Sequence, residues 1–99
     1  MRTLEKLSPS HDASTDIDHG WKNSNNQGVV WFVNDSGGGT AKLRIAREDG
    51  TTYEVQTDAI AADTPTVIVY DFPISKATFR FTPSGSGDLT SRLTPKPSS

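Results

Sequence analysis

From Lys76 to Thr82 the chain changes character at every residue: Ala77, Phe79 and Phe81 are apolar, while Thr78, Arg80 and Thr82 are not. A period of two belongs to a strand, whose successive side chains leave opposite faces; a helix cannot gather such residues on one side. The same alternation runs through Thr40–Arg47, where Ala41, Leu43 and Ile45 oppose Lys42, Arg44 and Ala46. It returns in Thr51–Thr57, where Tyr53 and Val55 oppose Thr52, Glu54 and Gln56. Two apolar runs, Val29–Val33 and Thr66–Tyr70, are short and β-branched, and the first reads as a strand buried on both faces. Leu89 and Leu93 fall on one face of a last strand. Asp58–Asp63 reads as a connection, and no segment of about ten residues carries a helical period. The predicted fold is all-β: a small antiparallel β-sandwich or barrel of about six strands.

Side-chain register also predicts one turn. A two-residue loop at Asp49-Gly50 sets Ile45 beside Glu54 and mixes apolar with polar faces. A three-residue loop of Glu48, Asp49 and Gly50 pairs Arg47 with Thr51 and Ile45 with Tyr53, so the faces agree. Gly50 then takes the left-handed position of a type I turn with a bulge. Trp31, Tyr53, Phe79 and Phe81 are predicted core. Pro73 breaks or ends the Thr66–Tyr70 strand at an edge. Gly37-Gly38-Gly39 ends the first apolar strand and is not a phosphate loop, because no GK[ST] follows.

Apolar residues fill 26 of the 65 positions from Val29 to Leu93, but only six of the other 34. A segment that buries little apolar surface does not offset an ordering cost of about 1–2 kcal/mol per residue. The chain therefore divides into an N-terminal arm over residues 1–20, mobile or ordered only by a partner, a sandwich over 21–94, and a disordered tail over 95–99. On that division, deleting Met1–His19 leaves the domain folded and weakens partner binding.

Composition removes several functions. The sequence has 99 residues and no cysteine, so no disulfide, thiolate nucleophile or cysteine-based zinc site is expected. Its net charge of -2 argues against direct nucleic-acid binding. No apolar run approaches membrane-spanning length, and no secretory signal is visible. Asn34-Asp35-Ser36 fits the glycosylation pattern but, without such a signal, reads as a turn.

The segments Arg47–Tyr53 (REDGTTY), Thr66–Ile74 (TVIVYDFPI) and Lys76–Leu93 (KATFRFTPSGSGDLTSRL) follow one another in an order that resembles small β-sandwich proteins of tailed-phage virions. Arg80 and Thr82, followed by Ser84-Gly85-Ser86-Gly87, carry the closest match, and the likeness covers Thr40–Leu93. The resemblance implies a virion structural protein: a capsid decoration or cement protein, or a head–tail or tail accessory protein. It would be assembled in the host cytoplasm and attached through surface contacts and the arm. The implied partners are a major capsid or tail protein and further copies of the chain, with a trimer among the arrangements.

Candidate sites follow from residue type. Trp21, the one aromatic outside Val29–Leu93, is a partner-contacting anchor or, with Tyr70, a sugar-stacking group of a carbohydrate-binding module; it also suits a packing role. Lys42, Arg44 and Arg80 take outward positions and form a modest basic face if their strands share a sheet. His11, Asp12, Asp16, Asp18 and His19 collect imidazoles and carboxylates in the arm. Their spacing fits no calcium loop, so a solvated acidic segment is expected, with Asp16 and Asp18 as partner contacts and no metal. No cofactor is expected. With both histidines in or beside the arm, no scaffold holds the imidazole that Ser-His-Asp chemistry needs, so no enzymatic activity is expected.

Overall fold

In the computed structural model, which describes residues 4–22, 28–46, 50–71 and 76–96, the alternating segments are joined by others into eight strands. These are β1 (Leu4–His11), β2 (Ile17–Lys22), β3 (Val29–Asp35), β4 (Gly39–Ala46), β5 (Thr52–Ile60), β6 (Thr66–Tyr70), β7 (Lys76–Pro83) and β8 (Gly87–Pro95). They form two four-stranded antiparallel sheets, in the orders β1-β8-β3-β6 and β2-β7-β4-β5. The sheets pack face to face as a sandwich. Its shortest extent is 19 Å, as two layers separated by about 10 Å plus their outer side chains require. Apart from the β4–β5 hairpin, each consecutive pair of strands lies in opposite sheets.

Alternation maps onto the two faces as expected in β4, β7 and β8. Ala41, Leu43, Ala77, Phe79, Phe81, Leu89 and Leu93 are buried between the sheets, together with Val29, Trp31 and Val33 from β3 and Ile68 and Tyr70 from β6. Phe79 meets the Trp31 ring edge-on at 5.2 Å and the Tyr70 ring at 5.6 Å. The Trp31 indole N–H donates to Ser91 Oγ at 2.6 Å, and His19 Nδ1 lies 3.3 Å from the same oxygen. All three side chains are buried, so the hydroxyl is the acceptor that lets tryptophan lie in the core. Ser91→Ala is expected to cost about 1–3 kcal/mol, read by chemical denaturation. A change below about 0.5 kcal/mol, the scale of a surface substitution, would contradict this role.

The expected Ile45–Tyr53 pairing is present, and Gly50 has φ +90°. The hairpin tip, Arg47, Glu48 and Asp49, lies outside the described residues, as does Pro73. Farther along the hairpin, the register shifts between Leu43 and Arg44, which pair with Gln56 and Glu54. Val55 is therefore the extra residue of a β-bulge. That shift puts Gln56, Asp58 and Ile60 on the inner side of β5, and Asp58–Ile60 belong to the strand where a connection was expected.

The largest correction concerns residues 4–20. They do not form an arm separate from the sandwich. β1 pairs with β8 and β2 pairs with β7, closing one side of both sheets. Ile17 and Trp21 are core residues at 8% and 3% exposure. Low apolar content does not mark an arm here, because edge strands show one face to water and need few apolar residues, spaced by two at Ile17, His19 and Trp21. At the other end, Pro95 completes β8 and the Lys96 N–H donates to the Gly28 carbonyl at 2.7 Å, so the expected tail does not begin at 95. Residues 97–99 lie outside the described residues.

Candidate functional site

β3 and β6 lie side by side with Val30 opposite Val69 and Phe32 opposite Val67. Their inward residues fill the core, so these four point to the outer face of the first sheet. Val67 is 60% exposed and Val69 47%, while Val30 and Phe32 are half-buried. A polar face is usual on the solvent side of an antiparallel sheet. Here two neighbouring strands carry only apolar outward residues at the centre of the patch. The next strand supplies a polar rim: Thr94 faces Val30, Arg92 faces Phe32 and Thr90 faces Asn34. Arg92 is held in place by Glu5 of β1, with Nε and Nη2 donating to one carboxylate oxygen at 3.0 and 2.7 Å. Leu7, 61% exposed, lies beside Thr90 beyond the rim. The expectation that Val29–Val33 is buried on both faces is thus corrected: Val29, Trp31 and Val33 are buried, and Val30 and Phe32 belong to this surface.

Lys42, Arg44 and Arg80 do share a sheet, with Lys42 directly opposite Arg80 and Arg44 opposite Thr78. Two of the three charges are met by carboxylates on the same face. Arg80 Nε donates to Asp18 Oδ1 at 2.9 Å, and Nη1 lies 3.3 Å from Asp16 Oδ2. Lys42 Nζ lies 3.8 Å from Glu54. The hydrogen bond from Arg80 to Asp18 raises the pKa of the guanidinium further, so this charge is permanent. Asp16 and Asp18 are therefore neutralising partners within the sheet, brought there by β2. On the outer face of the second sheet Lys42 and Arg80 are thus paired with carboxylates, and such exposed pairs contribute about 0–1 kcal/mol each.

Trp21 is buried and offers no surface for a partner or a sugar, and the same holds for Tyr70 at 1% exposure. Burial, with a smaller contribution from Asp58, pushes the Tyr70 hydroxyl far above the usual phenol range. Tyr53 takes the opposite course: expected in the core, it is 44% exposed on the β5 edge.

The histidines are also scaffold residues, contrary to expectation. The irregularity in β1 between Ser8 and His11 brings His11 Nε2 to 2.5 Å from Asp35 Oδ1. Asp35 Oδ2 accepts the Gly37 N–H at 3.0 Å, and the Asp35 backbone carbonyl accepts from Gly38 and Asp63. Gly38, at φ +74°, is needed here, since this turn carries the chain from one sheet to the other. His11 and Asp35 have the chemistry of an acid–base pair, yet their side chains are 5% and 0% exposed. Both are turned into the end of the sandwich and act as its clasp. With His11 on Asp35, His19 on Ser91, and Asp16 and Asp18 on Arg80, the imidazoles and carboxylates of residues 11–19 are dispersed. No group of three or more potential metal ligands occurs among the described residues.

No family model matches the chain. No curated protein matches it either. Among solved structures it is similar to a mutant of a family 29 carbohydrate-binding module, with a TM-score of 0.45 and 10% identity, over 94% of this chain and 85% of that one. A likeness of this size assigns no ligand.

Proposed function

We propose that this chain is a small attachment protein that docks on a larger protein assembly through the outer face of its first sheet. The observation that carries this is the apolar centre formed by Val30, Phe32, Val67 and Val69 inside a rim of Thr90, Arg92 and Thr94. An apolar patch with a polar rim is the usual build of a protein-binding surface. The proposal accords with the virion accessory role that the resemblance over Thr40–Leu93 implies, with a capsid or tail protein as partner. A non-catalytic role is part of it, since the His11–Asp35 pair is enclosed.

The test is co-sedimentation with particle fractions from the organism that carries the gene. The chain is expected to travel with large particles, and a Phe32→Ser/Val67→Thr variant of unchanged melting temperature is expected to stay at the top of the gradient. Wild type and variant both remaining at the top would sink the proposal.

One observation favours a second reading, carbohydrate binding, at residues other than those expected from sequence. Tyr53 is half-exposed on β5, and the inner side of the same edge strand carries Gln56, whose Nε2 donates to Asp58 Oδ2 at 3.0 Å. An aromatic ring with an amide and a carboxylate is suitable chemistry for a sugar. A glycan array on which wild type binds and Tyr53→Ala does not would support this reading; an array without hits removes it.

A further inference from the structure

Among the described strands each sheet has two edges, and three of these four edge strands carry features that discourage pairing with another chain. Charges, proline, glycine and bulges at an edge all do so, because they disrupt the ladder or place a charge against the incoming strand. β1 contains Glu5 and Pro9, and its register breaks between Ser8 and His11, where Ser10 has φ +62°. β2 contains Asp18 and Gly20. β5 contains Glu54 and Asp58 and is bulged at Val55. β6 is Thr66-Val67-Ile68-Val69-Tyr70: no charge, no proline, no glycine and an unbroken register with β3.

We infer that β6 is the edge on which two copies of this chain join, antiparallel and two-fold, into one continuous eight-stranded sheet. The inference deepens the attachment reading above, from which it takes the working face, and it names a second copy as occupant of the open edge. An unprotected edge asks for an extended strand, and the composition of β6 says which one. A two-fold contact sets a strand against itself, so a charge on the axis would meet its own like and one beside it would lie diagonal to its copy; β6 has none. With Ile68 at the axis, Thr66 faces Tyr70 of the other copy and Val67 faces Val69. Each exposed valine thus gains a β-branched apolar neighbour, a favourable cross-strand pairing. The flanks also fit. Pro65, which lacks an N–H, comes opposite Asp71, just outside the five-residue ladder, and Asp71 already has Lys96 as its ionic partner. On the outer face the row Val30–Val69 of one copy runs into Val67–Phe32 of the other. The two apolar patches become one, twice as large, rimmed at both ends by Arg92 and Thr94.

The test uses the full chain alone. Sedimentation equilibrium is expected to give twice the 10.7 kDa chain mass. Val67→Lys and Val69→Glu, each on the outward face, are expected to be monomeric singly and to form a heterodimer when mixed, because in this register the new ammonium and carboxylate face each other. If either variant is unfolded, backbone hydrogen exchange on wild type serves instead, with protection of residues 66–70 rising with concentration. A monomeric wild type, a trimer, or a dimer that both single variants keep would overturn the inference. A monomer that still travels with particles would overturn the dimer and leave the attachment role standing. A dimer that never leaves the top of the gradient would do the reverse.

Discussion

A chain lacking residues 1–22 is expected to lose cooperative folding, with no thermal transition by circular dichroism above about 20 °C for a domain of ordinary stability. The deletion removes β1 and β2, the strands that close one side of both sheets. With them go Ile17 and Trp21 from the core and His11 from Asp35. Replacing one buried isoleucine and one buried tryptophan by alanine costs about 2–5 and 3–5 kcal/mol. The sum is comparable with the whole stability of a small domain, about 5–15 kcal/mol. The loss is larger than that sum, because Phe79, Phe81, Leu89 and Leu93 on the adjacent strands β7 and β8 are uncovered at the same time. A truncated chain that melts near the full-length temperature would show that residues 1–22 are an appendage after all.

Asp35→Ala is expected to destabilise the fold by about 3 kcal/mol, the cost of emptying one half of a buried, hydrogen-bonded pair. The carboxylate is fully buried and serves two donors from different parts of the chain, the His11 ring and the Gly37 N–H. Alanine strands both in the interior. Asp35→Asn keeps the size and one acceptor, so it is expected to lose less. Urea denaturation of the three proteins orders them wild type, asparagine, alanine. Equal stability of wild type and Asp35→Ala would mean that the clasp holds nothing.

The central strands were legible in the sequence because their faces differ. Ala77, Phe79 and Phe81 could only be inside, and a register argument based on side-chain faces was enough to pair Ile45 with Tyr53. Low hydrophobicity hid the edge strands. β2 announces itself by Ile17 and Trp21 alone, and β1 is mostly polar because one of its sides has no neighbour among the described strands. Tyr53 differs from expectation for a related reason: it takes the inward side of β5, but at an edge, where that side is half open. The histidines were invisible as scaffold residues because Asp35 and Ser91, which hold them, are 24 and 72 residues away.

The candidate surface was hidden by its own composition. Val29–Val33 and Thr66–Tyr70 do not alternate, and an unbroken apolar run is the pattern of a strand buried on both faces. The structure gives these runs one buried face only. Neither run indicates by itself that the two lie side by side with the same face open; the topology supplies that. Conversely, Lys42, Arg44 and Arg80 were legible as outward residues, but the partners that neutralise Lys42 and Arg80 come from neighbouring strands. An isolated strand shows its charges and not their pairing.

Under the proposed attachment role, the outer face of the β1-β8-β3-β6 sheet is the working surface and that of the β2-β7-β4-β5 sheet is not. The most direct measurement places a photo-crosslinking side chain at position 69 on the first face, or at position 78 on the second, in the chain bound to particle fractions. Adducts with one particle protein from position 69 and none from position 78 are the predicted result. Adducts from position 78 alone would contradict the account.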